Sequence, residues 1–162
     1  MKYPTAVMLL MLLCAAPARG AAAGKNAPVY KRPAARSATI VLNGNVLSAP
    51  GWIINGRTNV PLRETFTHLG ARVWYDDTSG NIEIEFRRVR INMTVGDISM
   101  VVTRDGGLIQ LIQMDNPPIV AYGRAYIPVR YVINEMGLHL EWDPSTRTVL
   151  LTKWRQRYEP FW

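Results

Sequence analysis

The chain has 162 residues, 48% of them apolar, and a formal net charge of +7. That is enough for one ordinary domain, or two small units sharing a core, and too little for a multidomain enzyme. The charge is not the footprint of a nucleic-acid binder. Lys2, Arg19, Lys25, Lys31, Arg32 and Arg36 account for six of the 19 Lys and Arg and precede Ala38 without an acid among them, which leaves 13 basic residues against all 12 Asp and Glu. The body of the chain is therefore near neutral, and the excess charge belongs to an arm.

In chain order, residues 1–23 have the form of a secretory leader. Lys2 gives a positive start, Ala6 to Ala16 an apolar stretch too short to anchor in a bilayer, and Ala18, Gly20 and Ala23 the small residues of a cleavage region. Cys14, the single cysteine, lies inside that stretch behind Leu13, where a lipoprotein signal would carry a small residue. The mature chain is thus expected to have no disulfide and no thiolate metal site. Residues 24–37, with Pro28 and Pro33 among basic and small residues, read as a solvated linker.

From Ala38 the pattern is structured. Thr39 to Leu42 is a short β-run, Asn43-Gly44 is a hairpin turn pair, and Val46-Leu47 begins the return strand. Trp52 to Ile54 leads to a second Asn-Gly pair at Asn55-Gly56. Pro61 then fits the first turn of a helix whose apolar face is Leu62, Phe66 and Leu69, ended by Gly70. Ala71, Val73 and Tyr75 alternate with Arg72 and Trp74, and Asp76 to Asn81 is turn chemistry leading to the strand Ile82 to Phe86. Val89, Ile91, Met93 and Val95 mark a half-buried strand opening a second unit, followed by a long hairpin, Ile98 to Val102 and Leu108 to Gln113 around Asp105-Gly106-Gly107.

The second unit then repeats the first. NGRTNVPLR at 55–63 is answered by YGRAYIPVR at 122–130, so that Gly56 and Gly123, Arg57 and Arg124, Pro61 and Pro128, and Arg63 and Arg130 all stand 67 positions apart. The interval holds at Pro50/Pro117, Gly70/Gly137, Tyr75/Trp142 and Asp76/Asp143. Val129, Val132, Ile133 and Met136 form the second helical face. Leu138, Leu140 and Trp142 alternate with His139 and Glu141, and Thr148 to Thr152 closes the unit. The expected fold is α+β: two tandem β-hairpin/helix/β-hairpin repeats (38–86 and 88–152), an antiparallel sheet covered by short helices, and an aromatic and basic tail at 153–162.

This paired pattern, with a helix ending in Leu-Gly and a following aromatic-Asp step, resembles the copper amine oxidase N-terminal-like, or stalk, domain over about Ala38 to Thr152. The resemblance implies an antiparallel sheet with helices, and a non-catalytic module of secreted or envelope proteins of Gram-positive bacteria. It does not carry over the oxidase chemistry of a separate domain. Copper there needs a cluster of imidazoles, whereas His68 and His139 are the only two histidines and do not occupy matching positions. No metal and no cofactor is expected.

Four residues stand out as preserved together, Arg63 with Asp76 and Arg130 with Asp143. They read as structural ion pairs, with a carboxylate or sulfate site at each arginine as the alternative. Trp74 falls on the face opposite Val73 and Tyr75, where an indole suits a sugar platform or a protein contact, unless the linker or the other repeat covers it. The tail from Lys153 to Trp162 is expected to fold back, and Arg87, Arg88 and Arg90 to be a solvated strand face. No Gly-x-Ser-x-Gly elbow and no His-Glu-x-x-His occurs. The reading is a secreted, non-enzymatic module binding a cell-wall polymer, an envelope protein or itself. A glycan-binding accessory domain is the alternative, and a small secreted hydrolase a more distant one.

Overall fold

The computed structural model describes residues 36–152. The expected leader, most of the basic arm and the C-terminal tail lie outside the described residues. Thirteen strands and two helices follow in order: β1 (Arg36–Leu42), β2 (Asn45–Val46), β3 (Gly51–Ile54), β4 (Arg57–Pro61), α1 (Leu62–His68), β5 (Arg72–Tyr75), β6 (Asn81–Phe86), β7 (Val89–Thr94), β8 (Ser99–Arg104), β9 (Leu108–Gln113), β10 (Ile119–Ala121), β11 (Arg124–Pro128), α2 (Val129–Glu135), β12 (His139–Asp143) and β13 (Thr148–Thr152).

The strands form two sheets, one ordered β10-β11-β4-β3-β1-β13-β12 with β2 beside β1, the other β5-β6-β7-β8-β9. This corrects the α+β expectation. The protein is mostly β, and each helix has only seven residues. Helices that short are held by packing rather than by propensity. Leu62, Phe66 and Leu69 of the first, and Val129, Val132, Ile133 and Met136 of the second, enter one apolar cluster with Ile40, Ile84, Ile91, Met100 and Leu151 from both sheets. The helices therefore fill the core instead of covering a sheet. Nor is the pairing all antiparallel, since β1 runs parallel to β13, with Ile40 opposite Val149.

Local chemistry explains the elements. Asn43 and Gly44, Asn55 and Gly56, and Tyr122 and Gly123 all have positive φ at both turn positions, as a tight hairpin between right-twisted strands demands. Both helices stop at a left-handed glycine. The Ala71 N–H reaches the Phe66 carbonyl at 2.9 Å, and the Leu138 N–H reaches that of Ile133 at 3.1 Å. Pro61 and Pro128 are extended and end β4 and β11, one residue before the helices, rather than lying in the first helical turn.

The strands preceding the two helices meet. In the β4·β11 pairing, Val60 lies opposite Ile127, Pro61 opposite Tyr126 and Asn59 opposite Pro128. Val60 and Ile127 occupy matching positions of the two motifs, so the motifs face each other across a local two-fold axis at that pair. The segment from Val89 to Gln113 departs from the expectation that it opens the second unit. β7 pairs with β6, so β7, β8 and β9 extend the sheet of the first motif's closing hairpin. Tyr75 and Trp142 lie on the inward side of the alternation but are half-buried against the core rather than fully buried, with Trp74 exposed on the opposite side.

Candidate functional site

The arginines of the two motifs divide by position. Arg57 and Arg124, at the starts of β4 and β11, each reach a carboxylate beside the other motif's helix. The Arg57 Nε donates to Asp115 at 2.6 Å, while the Asp115 N–H donates to the Tyr131 hydroxyl of α2 at 3.1 Å. Arg124 lies 3.5 Å from Glu64 of α1, whose other carboxylate oxygen accepts the Ser48 N–H at 2.9 Å, the Ser48 hydroxyl at 2.8 Å and the Ala49 N–H at 3.3 Å. Ser48 and Asp115 are again 67 positions apart. The Tyr131 hydroxyl, then the Arg57 guanidinium, hold the Asp115 carboxyl below its ordinary value. Burial works to raise the Glu64 carboxyl, but the hydrogen bonds from Ser48 and Ala49 together with Arg124 outweigh it and lower the group.

The expected pairs of Arg63 with Asp76 and Arg130 with Asp143 do not form. Both arginines are exposed, and among the described residues neither stands in an ion pair or a hydrogen bond. The aspartates are consumed locally by turn chemistry. Asp76 accepts the Thr78 N–H at 3.0 Å and the Ser79 hydroxyl at 2.6 Å. Asp143 accepts the hydroxyls of Ser145 at 2.6 Å and Thr146 at 2.7 Å and the Ser145 N–H at 2.9 Å, which lowers its carboxyl to about 2. The sequence reading chose the wrong repeated arginine. The signal that finds the right one is the matched Ser48/Asp115 pair beside the prolines at 50 and 117.

Freed of an acid, Arg130 borders a groove of about 230 Å³ with Arg57, Tyr131, Leu140 and Trp142. Arg63 lies near Tyr75 instead. Burial first, then Asp77 and Asp76, raise the Tyr75 hydroxyl, and the Arg63 charge opposes them.

Trp74 lies apart from both arginine corners. It is 48% exposed on the outer face of the five-stranded sheet, and neither the other motif nor any further described element buries it. Across that face the register sets Trp74 beside Glu83, Glu83 beside Asn92, Asn92 beside Val101 and Val101 beside Leu111. A shallow depression of about 500 Å³ runs along it, walled by Trp74, Asp76, Asn81, Glu83, Asn92 and Asp97. Arg90 engages Glu83 at 3.3 Å from the side. Arg88 is paired with Asp105 at 3.2 Å and Arg87 lies over the Phe86 ring at 5.1 Å; both sit in the turn between β6 and β7 rather than on a strand face, and the run stays largely in solvent.

Among the described residues no group of three or more His, Cys, Asp or Glu is arranged to hold a metal ion. His68 Nδ1 is 2.6 Å from the Glu64 carbonyl oxygen, and His139 lies on β12 in the other sheet. No described helix is long and apolar enough to cross a membrane.

The model of the copper amine oxidase N-terminal domain matches residues 41–151, well over half the chain. The chain belongs to that family. The matched region is the family's non-catalytic N-terminal module, and no catalytic domain of the family is found within the 162 residues. Searches of curated proteins and of solved structures each returned no match.

Proposed function

We propose that this copper amine oxidase N-terminal domain is an exported, non-catalytic module that binds a glycan of the cell envelope through the Trp74 face. The observation that carries the reading is a half-exposed indole at one end of a shallow depression walled by carboxylate and amide side chains. A sugar ring stacks its C–H face on such an indole while its hydroxyls meet Glu83, Asn92 and Asp97. The acids lining the depression disfavour a polyanion and suit a neutral or amine-bearing polymer. Export rests on the leader-like sequence of residues 1–23.

The test is retention of the purified chain on isolated cell-wall polysaccharide, compared with washed resin. Trp74→Ala is expected to weaken retention about tenfold or more, with no change in melting temperature, and Trp142→Ala at the Arg130 groove is not. Equal retention of Trp74→Ala and the unaltered chain refutes the glycan reading. Loss on Trp142→Ala or Arg130→Ala instead moves the site to the groove.

A further inference from the structure

We propose that β9 is the seam of a homodimer, two copies of this chain joining their five-stranded sheets edge to edge as antiparallel strands. Among the described residues β9 pairs with β8 alone, and it leaves Leu108, Ile109 and Leu111 between 64% and 68% exposed. The six residues carry neither charge nor proline. The other edge strands are protected in the usual ways. β10 is three residues long and follows Pro117 and Pro118, β5 is four residues long with Arg72 at its start, and β12 alternates His139, Glu141 and Asp143. An unprotected edge of this kind is a template for another strand.

Backbone phase says which groups are offered. The Met114 N–H bonds to the Ile98 carbonyl at 2.8 Å, and by the alternation of an antiparallel ladder residues 108, 110 and 112 turn their polar groups to β8. Ile109, Leu111 and Gln113 therefore turn their N–H and C=O groups outward.

The strand's own order selects a second copy as the occupant. About Gln110 it reads apolar, apolar, Gln, apolar, apolar in both directions, Leu108-Ile109 on one side and Leu111-Ile112 on the other. Setting Gln110 opposite Gln110 places Ile109 against Leu111 and Leu108 against Ile112 in both halves, and uses the outward groups of Ile109 and Leu111 in about four hydrogen bonds. The paired segment itself carries no charge, and the nearest charged group, Arg104, which donates to Gln110 at 3.2 Å, is paired with Glu135. The strip covered on each copy is one strand edge, smaller than a standard specific interface, so the dimer is reversible and concentration-dependent. Both outer faces lie on one side of the joined sheet, with the two Trp74 side chains about 40 Å apart across nine strand spacings.

Sedimentation equilibrium of the full chain is expected to show mass rising from monomer towards dimer across the micromolar range. Leu111→Lys should weaken association about tenfold or more while leaving circular dichroism unchanged, and the melting temperature unchanged at concentrations where the unaltered chain is monomeric. In a Cys14→Ser background, Gln110→Cys should form an intermolecular disulfide on mild oxidation, because paired positions of this type lie about 4.5 Å apart at Cα. Gln113→Cys should not, its mates being several residues apart. A monomer at every concentration, a dimer unaffected by Leu111→Lys, or crosslinking at Gln113→Cys in preference to Gln110→Cys overturns the proposal. Glycan retention is scored separately, since Trp74→Ala is expected to leave the mass unchanged.

Discussion

The corner at Glu64 and the corner at Asp115 are built on the same plan with one charge moved. In both, a loop residue just before a proline gives its N–H to a side chain on the following helix, and the opposite motif's hairpin arginine meets a carboxylate there. In the first corner the carboxylate is on the helix, as Glu64, and the loop supplies Ser48. In the second it is on the loop, as Asp115, and the helix supplies Tyr131. What is preserved is the bond between the two halves of the molecule, not the residue that makes it. The exchange also changes the surface. Glu64 is consumed by Ser48, Ala49 and Arg124, while Tyr131 lines a groove with Arg130 and Trp142.

The comparison extends to the helices, and its largest test lies there. Phe66 and Ile133 are matched, fully buried and members of one cluster. Phe66→Ala should cost about 3–5 kcal/mol and Ile133→Ala about 2–5 kcal/mol. Each should lower a single cooperative transition, because both helices share a core. Two separated transitions in calorimetry would show that each motif has a core of its own.

One position further toward the N-terminus, Thr65 matches Val132. Both are fully buried, and the Thr65 hydroxyl has no hydrogen-bond partner. Val132→Thr should therefore cost about 1–3 kcal/mol, and Thr65→Val should stabilise by about 1 kcal/mol. Chemical denaturation of the two variants reads both signs. A loss on Thr65→Val would mean that the hydroxyl has a partner in solution.

At the corners themselves, Glu64→Ala removes the acceptor of two backbone amides and a hydroxyl and should cost about 1–2 kcal/mol. Asp115→Ser should have a smaller effect, since its exposed pair with Arg57 is open to water. Combining Asp115→Ser with Tyr131→Glu recreates the first corner in the second, and denaturation should show the double variant more stable than Asp115→Ser alone. A double variant no better than the single one would separate the corners into unrelated contacts.

Much of this was legible in the sequence and part of it was not, for physical reasons. Asn43-Gly44, Gly70 and Gly137 announce their backbone conformations, and alternation gave Tyr75 and Trp142 their side of the strand. Sheet membership is different. The parallel closure of β1 on β13 depends on long-range packing that alternation does not encode, and the hairpin of β6 and β7 turns at Arg87-Arg88, a pair without the Asn-Gly signature of the turns at 43–44 and 55–56. The arginine misassignment has a similar cause. Spacing shows that Arg63 and Asp76 recur together, but Asp76 and Asp143 are followed by Ser and Thr close enough to satisfy them without any cation.

That local capture gives an acid-side prediction. A carboxyl whose folded value lies below its unfolded one contributes stability that is full above the unfolded value near 4 and is lost as pH falls through the folded value. Asp143, lowered to about 2 by Ser145 and Thr146, should contribute above about pH 4 and lose its contribution between there and about pH 2. Asp143→Asn should flatten that part of the stability curve. Glu64 and Asp115 are shifted in the same direction, so Asp143→Asn should reduce the acid loss without abolishing it.

The smallest effect is expected where the sequence suggested a large one. Because Arg63 and Arg130 are exposed and bound to no acid, Arg63→Ala and Arg130→Ala should each change stability by no more than about 0.5 kcal/mol. Double-mutant cycles of Arg63 with Asp76, and of Arg130 with Asp143, should then show no coupling. The two arginines nevertheless differ in what their loss reveals. Arg63 opposes the upward shift of Tyr75, so Arg63→Ala should move the Tyr75 titration further up, read as the ultraviolet absorbance change of the phenolate. Trp142 stands in the place matching Tyr75 and has no ionisable group, so the Tyr75 test has no counterpart there, and Arg130→Ala is read in stability alone. A measurable coupling between Arg130 and Asp143 would restore the ion pair within the fold. Its absence leaves the exposed Arg130 guanidinium beside the groove of Tyr131 and Trp142 without an acid of the fold.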